Sequence, residues 1–400
     1  MTAAGADDTW TPLGALPARL DAPVFALAVD PADGRRLLAG TSEGVVMRSV
    51  DGGASWRVVI SGLGRGVAAL AFDPRWPGVA LAGTRGAGVW RSSDAGASWQ
   101  QQPGAEARTV RAFAFLPDAA LAGGDQGVLL SRDGRTWAAA GLAQVRVSAL
   151  AVRNDAGAPP AVVAGGDSAQ GVGGLPLFIS ADRGNTWAPV PATGADGGSL
   201  VAGSSMVTAL GIAAEAGGPL LMGTNAGLFA SPDQGASWRQ LTGAGALPDT
   251  DCTAIAMAPR HPERMYVASE GGGSERGGLW SSRDGGSRFT ALAPPQAEVT
   301  ALAVSGDDVP MVLVATFRAA DHAVALWAYR DAGGQPSRAV SAPAPGAVPS
   351  PDAGLVEAAV PTDWRALLAQ PEAPYLGVGA AALLAILAAL AAYARRGRVP

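Results

Sequence analysis

An eight-residue pattern, Ser-x-Asp-x-Gly-x-(Ser/Thr)-Trp, recurs through the first 290 residues of this chain and narrows what it can fold into. It is complete at residues 49–56, 92–99, 180–187 and 231–238. It recurs with one residue deleted at 131–137, and a worn copy, Ser282-Arg283-Asp284-Gly285-Gly286-Ser287-Arg288-Phe289, follows. The residue types are those of a tight connection between two strands: short Ser and Asp side chains bond to the turn backbone, and Gly accepts a positive φ. The Trp that ends each copy is predicted to open the next strand and pack its ring beneath the turn. The residues marked in this way are Asp51 and Trp56, Asp94 and Trp99, Asp133 and Trp137, Asp182 and Trp187, Asp233 and Trp238, and Asp284, all with a structural role.

A second repeat frames the first. Apolar runs at 24–29, 67–72, 110–115, 147–152, 207–212, 252–257 and 299–304 begin units whose starts lie 37 to 60 residues apart. Their small and branched side chains suit an innermost strand buried on both faces near a central axis. Second runs follow at 37–41, 80–84, 120–124, 162–166, 220–224, 265–269 and 312–316, a third strand leads into each eight-residue pattern, and its Trp opens a fourth. Seven tandem units of four strands predict an all-β fold, a seven-bladed β-propeller over residues 9–334. The seventh unit ends in Asp331-Ala332-Gly333, a remnant of the pattern with no Trp after it, while Thr9-Trp10 looks like its two missing positions. The strand at Trp10 is therefore expected to pair with the segment around 327–330 and close the ring, which would leave no free strand edge.

The pattern resembles the Asp-box, or BNR, repeat of the sialidase-like β-propellers. The resemblance implies architecture: in that superfamily the box lies between the third and fourth strands of a blade, on the face away from the active site. Sialidase chemistry would require an arginine triad, a tyrosine nucleophile with a glutamate, an acidic acid/base and an Arg-Ile-Pro motif. That motif is missing here, and Tyr266 and Tyr329 fall within predicted strands as core residues. The chain is also similar to the photosystem II assembly factor type of seven-bladed propeller. That likeness implies a scaffold without catalysis that binds membrane-protein partners and involves arginines in doing so.

Composition agrees with many short strands and tight turns: 55 Gly, 30 Pro, 16% charged and 48% hydrophobic residues. The net charge of −5, with no basic run inside the repeats, argues against a nucleic-acid partner. A single cysteine, Cys252, excludes an intramolecular disulfide. With only His261 and His322 beside it, no Cys/His zinc site can be assembled, and neither a metal nor a cofactor is expected.

Chemistry is expected opposite the boxes, where the longer connections at 167–174, 189–205 and 270–278 fall. The candidate binding residues there are Arg65, Arg85, Arg108, Arg111, Arg146, Asp167, Glu270 and Arg276, facing a protein or glycan partner. Glu43, Asp125, Asp167, Asp249, Asp251 and Glu270 fall on the same side. A glycoside hydrolase or lyase therefore stays open as the alternative, because it needs two carboxylates about 5 to 9.5 Å apart. No catalytic residue is assigned.

Beyond the propeller, residues 335–361 are a Pro/Ala-rich linker and 362–374 a juxtamembrane segment. Residues 375–394 carry no charge and are long enough, at about 1.5 Å per residue, to cross a hydrocarbon core of about 30 Å as a single transmembrane helix. Arg395, Arg396 and Arg398 in the basic tail 395–400 favour a cytoplasmic C-terminus and hence an extracytoplasmic propeller. Residues 1–8, without the positive start and apolar core of a secretory signal, point the other way. The expectation adopted is a single-pass membrane protein with its propeller outside.

Overall fold

The structure, a computed structural model, describes residues 10–17, 22–153, 159–168, 176–190, 206–212, 219–233, 235–241, 251–269, 277–296, 298–318 and 320–333. The chain divides into two units, Met1–Ala339 and Val340–Pro400. The predicted linker, juxtamembrane segment, membrane span and basic tail lie outside the described residues, among which no helix is long and apolar enough to cross a membrane.

Seven four-stranded antiparallel sheets follow one another along the first unit, six of them with their strands in sequence order from inner to outer. Blade one comprises Val24–Val29, Leu37–Thr41, Val46–Ser49 and Arg57–Ile60; blade two Val67–Phe72, Ala80–Thr84, Val89–Ser92 and Gln100–Gln101; blade three Val110–Phe115, Ala120–Gly124, Gly127–Ser131 and Ala138–Ala139. Blade four comprises Val145–Arg153, Ala161–Ser168, Leu177–Ser180 and Ala188–Pro189; blade five Val207–Ile212, Leu220–Thr224, Gly227–Ser231 and Arg239–Gln240; blade six Cys252–Ala258, His261–Ser269, Gly278–Ser282 and Thr290–Ala291. Blade seven takes Val299–Val304, Met311–Arg318 and Ala323–Arg330 from the chain's later part and Trp10–Pro12 from its start. Trp10 stands opposite Tyr329, Thr11 opposite Ala328 and Pro12 opposite Trp327.

The burial of these strands corrects one expectation. Second strands such as Leu37–Thr41, Ala80–Thr84 and Leu220–Thr224 are buried along their whole length. The innermost strand of blade one instead alternates buried and half-buried positions, and blade five does the same. A second strand has a sheet neighbour on each side and an adjacent blade on each face, whereas an inner strand has one edge without a sheet partner. A Gly in the second strand lets the next blade come close: a Cβ on Gly40 would lie 2.5 Å from Val67, and one on Gly83 would lie 2.7 Å from Val110.

The core is distributed over the seams between blades. Leu38 and Val46 of blade one cluster with Leu70, Phe72 and Trp99 of blade two, and the same exchange recurs at each following seam. Blades seven and one share a cluster as well, with Leu313 and Leu326 packed among Leu37, Met47 and Trp56. Thr300 of blade seven also donates to the carbonyl of Val24 at 2.7 Å.

Each box is a small hydrogen-bonded cage around a carboxylate. Asp94 accepts from the Ser92 hydroxyl at 2.7 Å, the Ser98 amide at 2.8 Å and the Ser98 hydroxyl at 2.6 Å, while the Gly96 amide donates to Ser92 Oγ at 2.8 Å. Gly96 has φ +85°, and its bare Cα faces Leu38 of the preceding blade, so a side chain there would be strained and would clash. Asp51, Asp182 and Asp233 repeat the arrangement. The hydroxyl and amide of Ser55 hold the Asp51 carboxyl down at about 2, and Thr186 does the same for Asp182, also to about 2. At Asp94 burial opposes ionisation, but the bonds from Ser98 and Ser92 outweigh it and the carboxyl again sits at about 2.

The Trp of the box belongs to the seam more than to the strand. The outer strands begin one residue after it, at Arg57, Gln100 and Arg239, and its ring lies in the cluster shared with the preceding blade. Trp56, Trp99 and Trp238 donate Nε1–H to the Gly carbonyl of their own box at 3.1 Å. Two depart from the expected packing beneath the turn. Trp187 reaches back to the carbonyl of Ala140 in blade three at 2.7 Å. Trp137, in the box that lost a residue, is buried with its Nε1 unpartnered among the described residues.

In blade seven the box is divided between the two parts of the chain. Trp10 lies against the cluster of the blade six–seven seam, where the other blades place their box aromatic, and donates Nε1–H to the carbonyl of Leu292 at 2.9 Å. Asp331, at the box aspartate position, is buried and accepts from the Tyr266 hydroxyl at 2.6 Å and from Arg283 at 2.5 Å. It therefore takes an ion pair and a tyrosine across the seam instead of a serine cage.

The depressed box carboxylates set the sign of the acid response. An unfolded aspartate takes its proton near about 3.9, while folded Asp51, Asp94 and Asp182 keep theirs off to about 2, so their contribution is present above about pH 4 and is lost as pH falls towards 2. Urea unfolding measured from pH 6 to pH 2 is expected to show stability falling over that lower window, less steeply in an Asp94→Asn, Asp182→Asn double variant. An equal slope in both proteins would contradict the cage.

Candidate functional site

On the side opposite the boxes, the connections between blades are tied by backbone hydrogen bonds. Arg65 N donates to Arg85 O at 2.9 Å, Arg85 N to Gly66 O at 2.8 Å, and Gly88 N to Arg108 O at 2.8 Å. Arg65, Arg85 and Arg108 are therefore carried by loops that brace one another across blades one to three. Arg65 and Arg85 are exposed and Arg108 half-buried.

A repeated irregularity aims further side chains at this face. Every innermost strand breaks register near its start: just after the first residue in six blades, as between Val24 and Ala26, Val67 and Ala69, and Val110 and Ala112, and between Val147 and Ala149, after the third residue, in blade four. Such a bulge leaves one residue outside the ladder and redirects its side chain. In blade one that residue is Phe25, over whose ring the Arg85 guanidinium lies at 5.1 Å, and in blade three it is Arg111.

Arg65, Arg85, Gly86, Thr109 and Arg111 line an open groove of about 510 Å³. Beyond it, Arg111 donates to Asp125 at 2.9 Å, and Arg146 lies 3.5 Å from both Asp125 and Asp167. Burial opposes ionisation of Asp125, but the bond and charge of Arg111, a bond from Thr109 and the charge of Arg146 outweigh it and hold its carboxyl below the usual carboxylate range. That direction is wrong for a general acid at neutral pH, which needs a raised pKa. Among the described residues Arg65, Arg85 and Arg108 have no carboxylate partner. Unpaired guanidinium forks next to an aromatic ring suit a carboxylate or phosphate ligand.

The structure thus brings together Arg65, Arg85, Arg108, Arg111, Arg146 and Asp167 on one side of blades one to four. Glu270, Arg276 and Asp249 lie outside the described residues, as do most of the long connections at 167–174, 189–205 and 270–278. Cys252 is buried, and burial pushes its thiol up to about 12, so it is not a nucleophile. Sequence reasoning missed Phe25 and Thr109. The one available signal was the Val-x-Ala that recurs in six of the seven inner strands and coincides with the bulge.

No family model matches the chain, and no curated protein does. Solved structures do. YCF48 from Cyanidioschyzon merolae aligns at TM-score 0.54 and 15% identity over 80% of this chain and 98% of its own. A structure of YCF48 bound to D1 peptide aligns at 0.52 and 17% identity over 79% and 99%. The GH74 xyloglucanase from Xanthomonas campestris aligns at 0.52 and 19% identity over 73% of this chain, which spans 51% of that enzyme. The fold is that of the seven-bladed propellers. At these identities the likeness concerns the fold alone, and the site's chemistry rests on its own residues.

Proposed function

We propose that the chain is a non-catalytic scaffold that docks a carboxylate-bearing segment of a protein partner in the arginine groove of blades one to three. The observation that carries this reading is the imbalance of pairing. Among the described residues Arg65, Arg85 and Arg108 lack carboxylate partners, while the neighbouring acids Asp125 and Asp167 are engaged by Arg111 and Arg146. Engaged carboxylates also disfavour the alternative of a glycoside hydrolase, which needs one acid free to give a proton and another free to activate water or attack. A related fold is recorded with a bound peptide, which makes the reading compatible with the architecture.

The proposal has two structural parts. Trp10–Pro12, paired with blade seven, is the clasp that closes the ring, and residues 375–394, outside the described residues, hold the propeller at a membrane. If the clasp closes the ring, deletion of residues 1–17 lowers the thermal unfolding temperature and exposes two strand edges; unchanged unfolding and solubility would contradict it.

The groove is tested by capture from detergent-solubilised native membranes with the full chain and with an Arg65→Glu, Arg85→Glu variant. Both positions are exposed, so the substitutions leave the fold intact. The expected result is a loss of captured partner of about tenfold or more, steepest at low salt. Equal capture by both proteins, or release of sugar from xyloglucan by the wild type, would overturn the proposal.

A further inference from the structure

The worn box of blade six is where the repeat gives up its own hydrogen bonds. In five boxes a Ser or Thr hydroxyl occupies the second carboxylate oxygen of the aspartate, as Ser98 does on Asp94 at 2.6 Å and Thr186 on Asp182 at 2.6 Å. At the sixth, that position is Arg288. Its amide still donates to Asp284 Oδ1 at 2.9 Å, as does the Ser282 hydroxyl at 2.9 Å, but among the described residues no donor reaches Asp284 Oδ2. The Arg288 side chain is exposed and has no carboxylate partner among the described residues. Two strong hydrogen-bonding groups, one acceptor and one cationic fork, are therefore left over within the same turn.

They open onto a cavity. Asp284, Arg288, Ser281 and Thr290 of blade six line a space of about 530 Å³ together with Trp10 and Tyr329 of blade seven. The two aromatic rings sit with centroids 5.3 Å apart, and Trp10 is fixed by its bond to the Leu292 carbonyl. The volume falls in the range of small-molecule sites. Its lining is an aromatic wall, the exposed Arg288 guanidinium, a second guanidinium, Arg283, bonded to Asp331, a carboxylate oxygen of Asp284 with no protein donor among the described residues, and two hydroxyl-bearing side chains. A carboxylate matches the guanidinium fork. Hydroxyl groups that both donate and accept match Asp284, Ser281 and Thr290. A ring with apolar C–H faces matches Trp10 and Tyr329.

We propose that this cavity, at the seam of blades six and seven and separate from the arginine groove, binds a saccharide bearing a carboxylate, of the hexuronic acid class. Arg288 takes the carboxylate, Asp284 accepts from a ring hydroxyl, and Trp10 and Tyr329 cover one face of the sugar.

The test uses the full chain and calorimetric titration with trigalacturonic acid, with the uncharged galactose trisaccharide as control. The decisive variant is Arg288→Ser, which restores the box consensus by returning a hydroxyl to Asp284 Oδ2 and removes the Arg288 cation while leaving Arg283 on Asp331. The expected result is binding of the acidic trisaccharide, at least tenfold weaker binding of the neutral one, and at least tenfold loss in Arg288→Ser at an unfolding temperature equal to or above that of the wild type. Arg65→Glu, Arg85→Glu should bind the acidic trisaccharide as the wild type does. Absence of binding at millimolar trigalacturonate, equal binding of the neutral sugar, or undiminished binding by Arg288→Ser overturns the proposal.

Discussion

The aspartate of each box is the point on which this structure depends. A turn between two strands leaves amides that cannot join a ladder, and orphaned amides are costly when water is excluded. Here one carboxylate takes a serine hydroxyl, a backbone amide and a second hydroxyl at distances of 2.6 to 2.8 Å around Asp94. The cage fixes the glycine that follows in a conformation open to it, and that glycine meets the preceding blade. It also sets the Trp ring into the seam, where most of the apolar core lies. A blade therefore has little core of its own and is stable only beside its neighbours, as in other repeat arrays.

This division of labour separates the two faces. On one side polar side chains are used up in cages, and on the other the loops are braced by backbone bonds, which leaves Arg65, Arg85 and Arg108 without a carboxylate partner among the described residues. The bulges at the head of the inner strands add Phe25 and Arg111 to that second side. Where the repeat is broken, the separation also breaks. In the box of blade three, one residue short, the Trp137 indole N–H has no acceptor among the described residues. The box of blade six keeps its aspartate but not its hydroxyl, and the box of blade seven is divided between Trp10 and Asp331.

Much of the blade architecture was legible because its determinants are local. Leu37–Thr41, Ala80–Thr84 and Leu220–Thr224 begin and end at the expected residues, since an apolar run between turn residues has few alternatives. Even the pairing of Trp10 with the strand ending at Arg330 could be read, because one lone half-box and one incomplete unit match. What resisted reading depends on contacts across seams. Trp187 is indistinguishable in sequence from Trp99, yet bonds to the neighbouring blade. Tyr266 and Asp331 are 65 residues apart and meet only because their blades are adjacent. Phe25 looks like core in a periodic apolar run, and only the bulge turns it towards Arg85. The arginines were visible as residues, but which of them lack partners was not, because Asp125 pairs with Arg111 through a register set by the fold.

The claim that one face is consumed by structure while the other is left for a partner is tested most directly by amide hydrogen exchange on the chain alone and in complex with the partner captured from native membranes. The account predicts that the amides of Gly53, Ser55, Gly96 and Ser98 in the boxes are slow to exchange in the free chain and unchanged in the complex, while added protection appears at residues 61–66, 85–88 and 104–111. Added protection on the boxes, with none on those three loops, would contradict it.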